Sequence, residues 1–85
     1  MPIRVLIADD HAVVRSGLRA LLLADSDIEV VGEAEDGLET LRLTETLRPD
    51  SVLLDLTMPP TNGIDPTRQL KAAHPETIVL ILTMH

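Results

Sequence analysis

Short apolar runs alternate along the chain with segments in which apolar side chains recur every three or four positions. Residues 3–8, Ile3-Arg-Val-Leu-Ile-Ala, are β-branched and do not alternate, which predicts a strand buried on both faces. Over residues 11–24, Val14, Leu18, Leu21 and Leu22 fall on one helical stripe with Arg15 and Arg19 on another face, the pattern of an amphipathic helix. Asp25-Ser26-Asp27 breaks that helix, and residues 28–35 resume as a strand of more polar character, suited to a sheet edge. Asp36 is a good helix N-cap, with Glu39 three residues on able to reach back as in a capping box. Thr40, Leu43, Thr44 and Leu47 form the stripe of the helix that follows, and Pro49-Asp50 ends it. Residues 51–56, Ser51-Val-Leu-Leu-Asp-Leu, predict a third strand buried on both faces, and the loop after it is rich in chain breakers. A third helix, capped by Asp65 with Pro66 in its first turn, runs to about His74, and residues 78–83 predict a fourth strand.

The resulting order is βαβαβαβ. Parallel strands need crossovers, and right-handed crossovers of helix length place helices on both faces of an open sheet. The expected fold is therefore α/β, a doubly wound parallel sheet, and with strand order 2-1-3-4 its first and third strands are neighbours. No internal repeat and no low-complexity segment interrupts it.

Composition narrows what such a sheet can do. Eighty-five residues allow one domain with a small core. With no Phe, Tyr or Trp, that core is aliphatic, and no ring can stack on a nucleic-acid base. A net charge of −7 argues against direct nucleic-acid binding and against an anionic membrane surface. Solubility alone is an equally good account of the charge. The absence of cysteine excludes thiolate metal sites and suits a cytoplasmic location. No apolar stretch has transmembrane length, and the N-terminus lacks a signal-peptide pattern.

Candidate chemistry lies at two strand ends. Asp9 and Asp10 follow the first strand and Asp55 sits near the end of the third. In open α/β sheets ligands gather beyond the carboxyl ends of strands where the strand order reverses, here between strands 1 and 3. Neighbouring strands lie about 4.8 Å apart, so the three carboxylates can share one ion. Oxygen ligands at that density suit Mg²⁺, or Mn²⁺, rather than zinc. A carboxylate can also attack phosphorus to form an acyl phosphate. Asp9 and Asp10 have a second reading, as carboxylates favoured at the N-terminus of the helix over residues 11–24. Asp55 has no such local use, since Asp is poor in a buried strand.

At these residues the chain resembles the receiver domain of bacterial two-component response regulators, a flavodoxin-like (CheY-like) fold. The resemblance is carried by Ile3-Arg-Val-Leu-Ile-Ala-Asp-Asp-His, Gly32-Glu-Ala-Glu-Asp-Gly, Arg48-Pro-Asp-Ser-Val-Leu-Leu-Asp-Leu-Thr-Met-Pro, Asn62-Gly and Ile78-Val-Leu-Ile-Leu-Thr-Met-His, in order along essentially the whole chain. The Asp-Asp-His opening, Arg-Ser-Gly-Leu-Arg and the Leu-Thr-Met-His ending are similar to the subgroup that carries a LuxR-type DNA-binding domain. The resemblance implies that Asp55 accepts a phosphoryl group from a sensor histidine kinase and that the domain controls a transcription-regulating output domain. It implies that Asp10 holds Mg²⁺ directly and Asp9 through water, with Asp55 and the backbone carbonyl of Thr57 completing the protein's share. Thr83 matches the switch hydroxyl, and Met84 occupies the position beside it.

The chain also departs from that pattern. Receiver domains have five strands and five helices, so residues 1–85 read as the N-terminal part of one receiver domain, with the fifth strand, the last two helices and the DNA-binding effector domain absent. The phosphoryl-pairing lysine of the fifth strand has no counterpart, because the only lysine is Lys71 in the third helix. Two expectations follow: impaired phosphorylation, and a homodimer or domain-swapped oligomer formed through an exposed fourth strand. Two alternatives remain open. One is a non-catalytic receiver piece that only dimerises. The other is a Mg²⁺-dependent phosphatase with an aspartyl-phosphate intermediate, which would need an acid where Thr57 stands. Among the histidines, His11 reads as a solvent-facing residue that opens the first helix, or as a metal ligand beside the acids. His74 reads as a helix-end cation, and His85 merely ends the chain.

Overall fold

The computed structural model describes residues 2–58, 63 and 65–82. Strand β1 (Ile3–Ala8) leads to helix α1 (Ala12–Leu23), β2 (Ile28–Ala34), α2 (Gly37–Leu47), β3 (Ser51–Asp55), α3 (Pro66–Ala73) and β4 (Ile78–Leu82). All three pairings are parallel, as the alternation of patterns predicts, and the sheet order is the expected β2-β1-β3-β4. The third strand ends one residue earlier than expected, at Asp55, and Thr83 of the expected fourth strand lies outside the described residues.

The core is aliphatic and centred on the inner strands. Leu6, Ile7, Val52 and Leu54 are wholly or almost wholly buried, and Leu70 of α3 packs in one cluster with Leu6, Val52 and Leu54. β1 pairs with β2 through a register shift between Val5 and Leu6, which brings Gly32 opposite Leu6. A Cβ on Gly32 would lie 2.9 Å from Leu47 Cδ1 and 3.3 Å from Leu6 Cδ1. The missing side chain lets α2 and β1 approach β2 closely at that point.

Helix α2 combines a polar sequence with a buried face. Thr40 and Thr44 are fully buried, and each hydroxyl donates to the carbonyl four residues back, Asp36 and Thr40, at 2.7 Å. That back-bonding satisfies the hydroxyls and lets their methyl groups pack in the core. Asp36 Oδ1 accepts from the Glu39 amide at 2.8 Å, the predicted cap, but Glu39 Oε1 reaches one residue further than expected and accepts from the Glu35 amide at 3.0 Å. Arg48, in the left-handed region at φ 50°, ends the helix by donating its amide to the Thr44 carbonyl. Asp65 caps α3 by accepting from the Thr67 amide at 3.1 Å, with Pro66 in the first turn.

One expectation fails. Leu21 belongs to the predicted apolar stripe of α1 yet is 74% exposed, and no α1 residue is fully buried. Val14, Leu18 and Leu22 alone of that stripe turn toward the sheet, each half-buried. His74 stands at the helix end as expected, as the C-cap of α3, and is also buried, with Nε2 3.1 Å from Glu45 Oε2. It ties the end of α3 to α2, because Leu70 draws that end of α3 into the core.

β4 is an outer strand, and Ile78, Leu80 and Ile81 are largely exposed. No described helix is long and apolar enough to cross a membrane.

These roles separate in unfolding experiments. Asp36→Ala should cost about 1 kcal/mol through loss of the α2 cap. Leu6→Ala should cost about 2–5 kcal/mol through a cavity at the sheet centre. Urea titrations followed by circular dichroism measure both, and equal losses would contradict this division.

Candidate functional site

Parallel pairing of β1 with β3 sets Ala8 beside Leu54, so the residues that follow, Asp9 and Asp55, leave adjacent strand ends together. Both are almost fully buried, at 1% and 2% exposure. Asp10 and His11, on the turn into α1, stand at the exposed rim. One ligand atom from each of Asp9, Asp10, His11 and Asp55 falls within 4.8 Å of the others. The carboxylates that the sequence placed at one spot are therefore brought together.

Asp9 is held from several sides. Its amide donates to the Ala34 carbonyl of β2 at 3.0 Å, and its Oδ1 accepts from the His11 amide at 2.7 Å. The carboxylate thus closes a tight turn ahead of α1 rather than capping the helix, whose N-cap is His11. Oδ2 of Asp9 is buried and has no hydrogen-bond partner among the described residues. A buried carboxylate oxygen without a donor is costly, and a cation would satisfy it.

Asp55 is served by Thr57. The Thr57 amide donates to Oδ1 at 2.9 Å, and the Thr57 hydroxyl lies 2.8 Å from both carboxylate oxygens. One hydroxyl proton cannot satisfy two oxygens, so part of the carboxylate's accepting capacity is left over. Burial pushes the Asp55 carboxyl up, but the Thr57 amide and hydroxyl, followed by the charge of His11, outweigh it and hold it below the usual range, which favours its carboxylate form.

His11 sits in the site although its side chain is 61% exposed, with Nδ1 3.1 Å from Asp9 Oδ1 and 2.9 Å from Asp10 Oδ1. The bond to Asp9 and the charge of Asp10 raise its pKa, against a small opposing effect of burial. A solvent-facing residue and a place beside the acids were the two readings of His11 in the sequence, and the ring is both exposed and paired with the acids. The amide and hydroxyl of Thr57 were missed, although an Asp followed two residues later by Thr is a local hydrogen-bonding pattern that could have signalled them.

A cavity of about 300 Å³ opens beside Asp55, lined among others by Leu56, Met58, Asp65 and Thr67. Lys71 lies in the last turn of α3. Thr83 and Met84, the expected switch residue and its neighbour, lie outside the described residues, as do Pro59 and Asn62 of the motifs.

The family model described as the response regulator receiver domain matches residues 5–85. The chain belongs to this family. It is 48% identical over 82 residues to the uncharacterized transcriptional regulatory protein YhcZ of Bacillus subtilis, covering 96% of this chain and 38% of that protein. It is 51% identical over 80 residues to the transcriptional regulatory protein LiaR of B. subtilis, with 92% and 38% covered. The chain therefore spans about two fifths of the length of these relatives. Among solved structures, the isolated receiver domain of RcsB from Salmonella enterica serovar Typhimurium, in the presence of phosphomimetic BeF3⁻, superposes with a TM-score of 0.91 at 31% identity, covering 100% of this chain and 64% of that one. A LuxR-family two-component response regulator from Aurantimonas sp. SI85-9A1 gives 0.89 at 39% identity, with 100% and 61% covered. Such proteins are signalling components, and the four strands and their order match the CheY-like fold of these neighbours.

The raised pKa of His11 has a sign that can be checked. Its ion pairs stabilise the folded chain while the ring is protonated, fully below the ordinary histidine value, and the contribution is lost as pH rises through the raised folded value. An NMR titration of the His11 ring should give a midpoint above the ordinary value of about 6.5. Adding Mg²⁺ should lower it, because the cation takes the carboxylates from the imidazolium. A midpoint that does not respond to Mg²⁺ would separate His11 from the acids.

Proposed function

We propose that this receiver domain accepts a phosphoryl group on Asp55 from the phosphohistidine of a sensor histidine kinase. The observation that carries this reading is the convergence of Asp9, Asp10 and Asp55 within 4.8 Å at the ends of two parallel strands. The donors fit Mg²⁺, or Mn²⁺. They are hard oxygens, and the buried, partnerless Asp9 Oδ2 is an acceptor waiting for positive charge. Asp10, Asp9 and Asp55 would hold the ion, with the Thr57 backbone carbonyl as a further ligand. When bound, the ion neutralises charge that develops on the transferred phosphoryl oxygens.

Asp55 supplies the nucleophile. Oδ1 of Asp55 is fixed by the Thr57 amide, whereas Oδ2 meets only the rotatable Thr57 hydroxyl among the described contacts. Oδ2 is therefore the atom free to attack phosphorus. As its bond to phosphorus forms, the phosphorus–nitrogen bond of the donor breaks, and the electron pair of that bond stays on the departing imidazole. The site catalyses its own modification and turns over no metabolite. Thr83 would report the phosphoryl group to a transcription-regulating output part of a longer protein, a reading supported by the regulatory names of the relatives.

A second property has its own support. The exposed Ile78, Leu80 and Ile81 on an outer strand favour self-association of the chain through β4.

Incubation with Mg²⁺ and acetyl phosphate should yield an acid-stable, base-labile phosphoryl adduct by mass spectrometry, absent without Mg²⁺ and absent in Asp55→Asn. Lack of adduct on the unaltered chain would leave a non-catalytic interaction module, and rapid turnover of phosphate esters would mark a phosphatase. Sedimentation should show a dimer or larger species, reverting toward monomer in Leu80→Lys. A compact monomer at all concentrations would refute association through β4.

A further inference from the structure

We infer that Arg15 is a positioning residue for the acidic site, clamping the peptide that joins Asp9 to Asp10. This rests on the reading of that site as a Mg²⁺ site. Arg15 Nη1 donates to the Asp9 carbonyl at 2.6 Å, while its Nε donates to Glu33 Oε1 at 3.2 Å. Glu33 lies on β2 next to Ala34, whose carbonyl already accepts the Asp9 amide at 3.0 Å. Its second oxygen accepts from Arg19 Nη1 at 2.7 Å. The Asp9 residue is thus gripped at both ends: its amide by the β2 backbone, its carbonyl by a guanidinium anchored on a β2 side chain.

The arrangement differs from an ordinary surface ion pair. The Arg15 side chain is 16% exposed, on a helix with no fully buried residue of its own. Its two bonds leave the planar guanidinium in different directions, one to a carbonyl and one to a carboxylate. A lysine, with one nitrogen, cannot span both acceptors in that fixed geometry. The clamp puts its positive charge on the backbone behind the acids and leaves their carboxylate oxygens open to an ion. Its work is to oppose the mutual repulsion of Asp9, Asp10 and Asp55, which would otherwise spread the β1–α1 turn. Groups that orient metal ligands without touching the metal typically change affinity by about 10–100-fold when removed.

The test compares Arg15→Met, which keeps the apolar stem but loses both bonds, with Arg19→Met, which loses only a bond to Glu33. Each chain is titrated with Mg²⁺ while the Asp9, Asp10 and His11 amide resonances are followed, then assayed for adduct formation with acetyl phosphate over a range of Mg²⁺. In Arg15→Met, Mg²⁺ should bind about tenfold more weakly. The phosphorylation rate at saturating Mg²⁺ should stay within about twofold of the parent, and the metal-free Asp10 amide resonance should move. Arg19→Met should change Mg²⁺ affinity by less than about twofold. Unchanged Mg²⁺ affinity in Arg15→Met would overturn the inference, as would an equal effect from Arg19→Met. If Arg15→Met does not fold, Arg15→Lys serves in its place: weaker Mg²⁺ binding with an unchanged thermal midpoint supports the clamp, and parental affinity overturns it. A parent chain that binds Mg²⁺ yet takes up no phosphoryl group refutes the proposed function and leaves the clamp to be judged on affinity alone.

Discussion

Mutual repulsion of three carboxylates is the constraint to which the rest of the structure answers. Two unit charges about 4 Å apart repel by about 4 kcal/mol at an effective dielectric near 20, and Asp9 and Asp55 are buried, where screening by water is weak. Each neighbouring device lowers that cost. The Thr57 amide and hydroxyl engage Asp55, the His11 ring lies between Asp9 and Asp10, and Arg15 fixes the backbone that carries Asp9 and Asp10. None of these gives the buried Asp9 Oδ2 a hydrogen-bond partner among the described residues, and that remainder favours a cation.

The sheet makes such a site possible by keeping its two inner strands rigid. β1 and β3 are flanked on both sides by partners and packed with aliphatic side chains, so the positions of Asp9 and Asp55 are set by ladders of backbone hydrogen bonds. Helix α2 contributes from a distance, with back-bonded threonines that pack without leaving a polar group unpaired. The His74–Glu45 contact fixes the end of α3 against α2. The other end of α3 begins at the Asp65 cap and helps to wall the cavity beside Asp55.

Much of this was legible in advance because it depends on short-range chemistry. The strand at residues 3–8 and the caps at Asp36 and Asp65 follow from local patterns, and the parallel order follows from helices of crossover length. What was misread or missed depends on distant partners. Leu21 lies on the same helical stripe as Val14 and Leu18, yet no partner covers it among the described residues and it stays exposed. The burial of His74 against Glu45 was not foreseen, because nothing near it in the chain announces Glu45, which lies on another helix.

By itself the sequence determined the α/β architecture, because apolar runs and helices of crossover length make a parallel sheet, and its motifs, through the resemblance to receiver domains, gave the strand order and the meeting of Asp9, Asp10 and Asp55. Only the tertiary structure decided how that cluster is held. The imidazole of His11 turns into the site, Thr57 presents its amide and hydroxyl to Asp55, and Arg15 reaches Asp9 while anchored on Glu33 of another strand. The physical reason is one of range: hydrophobic periodicity is written locally along the chain, whereas side-chain direction is set by partners that folding brings together.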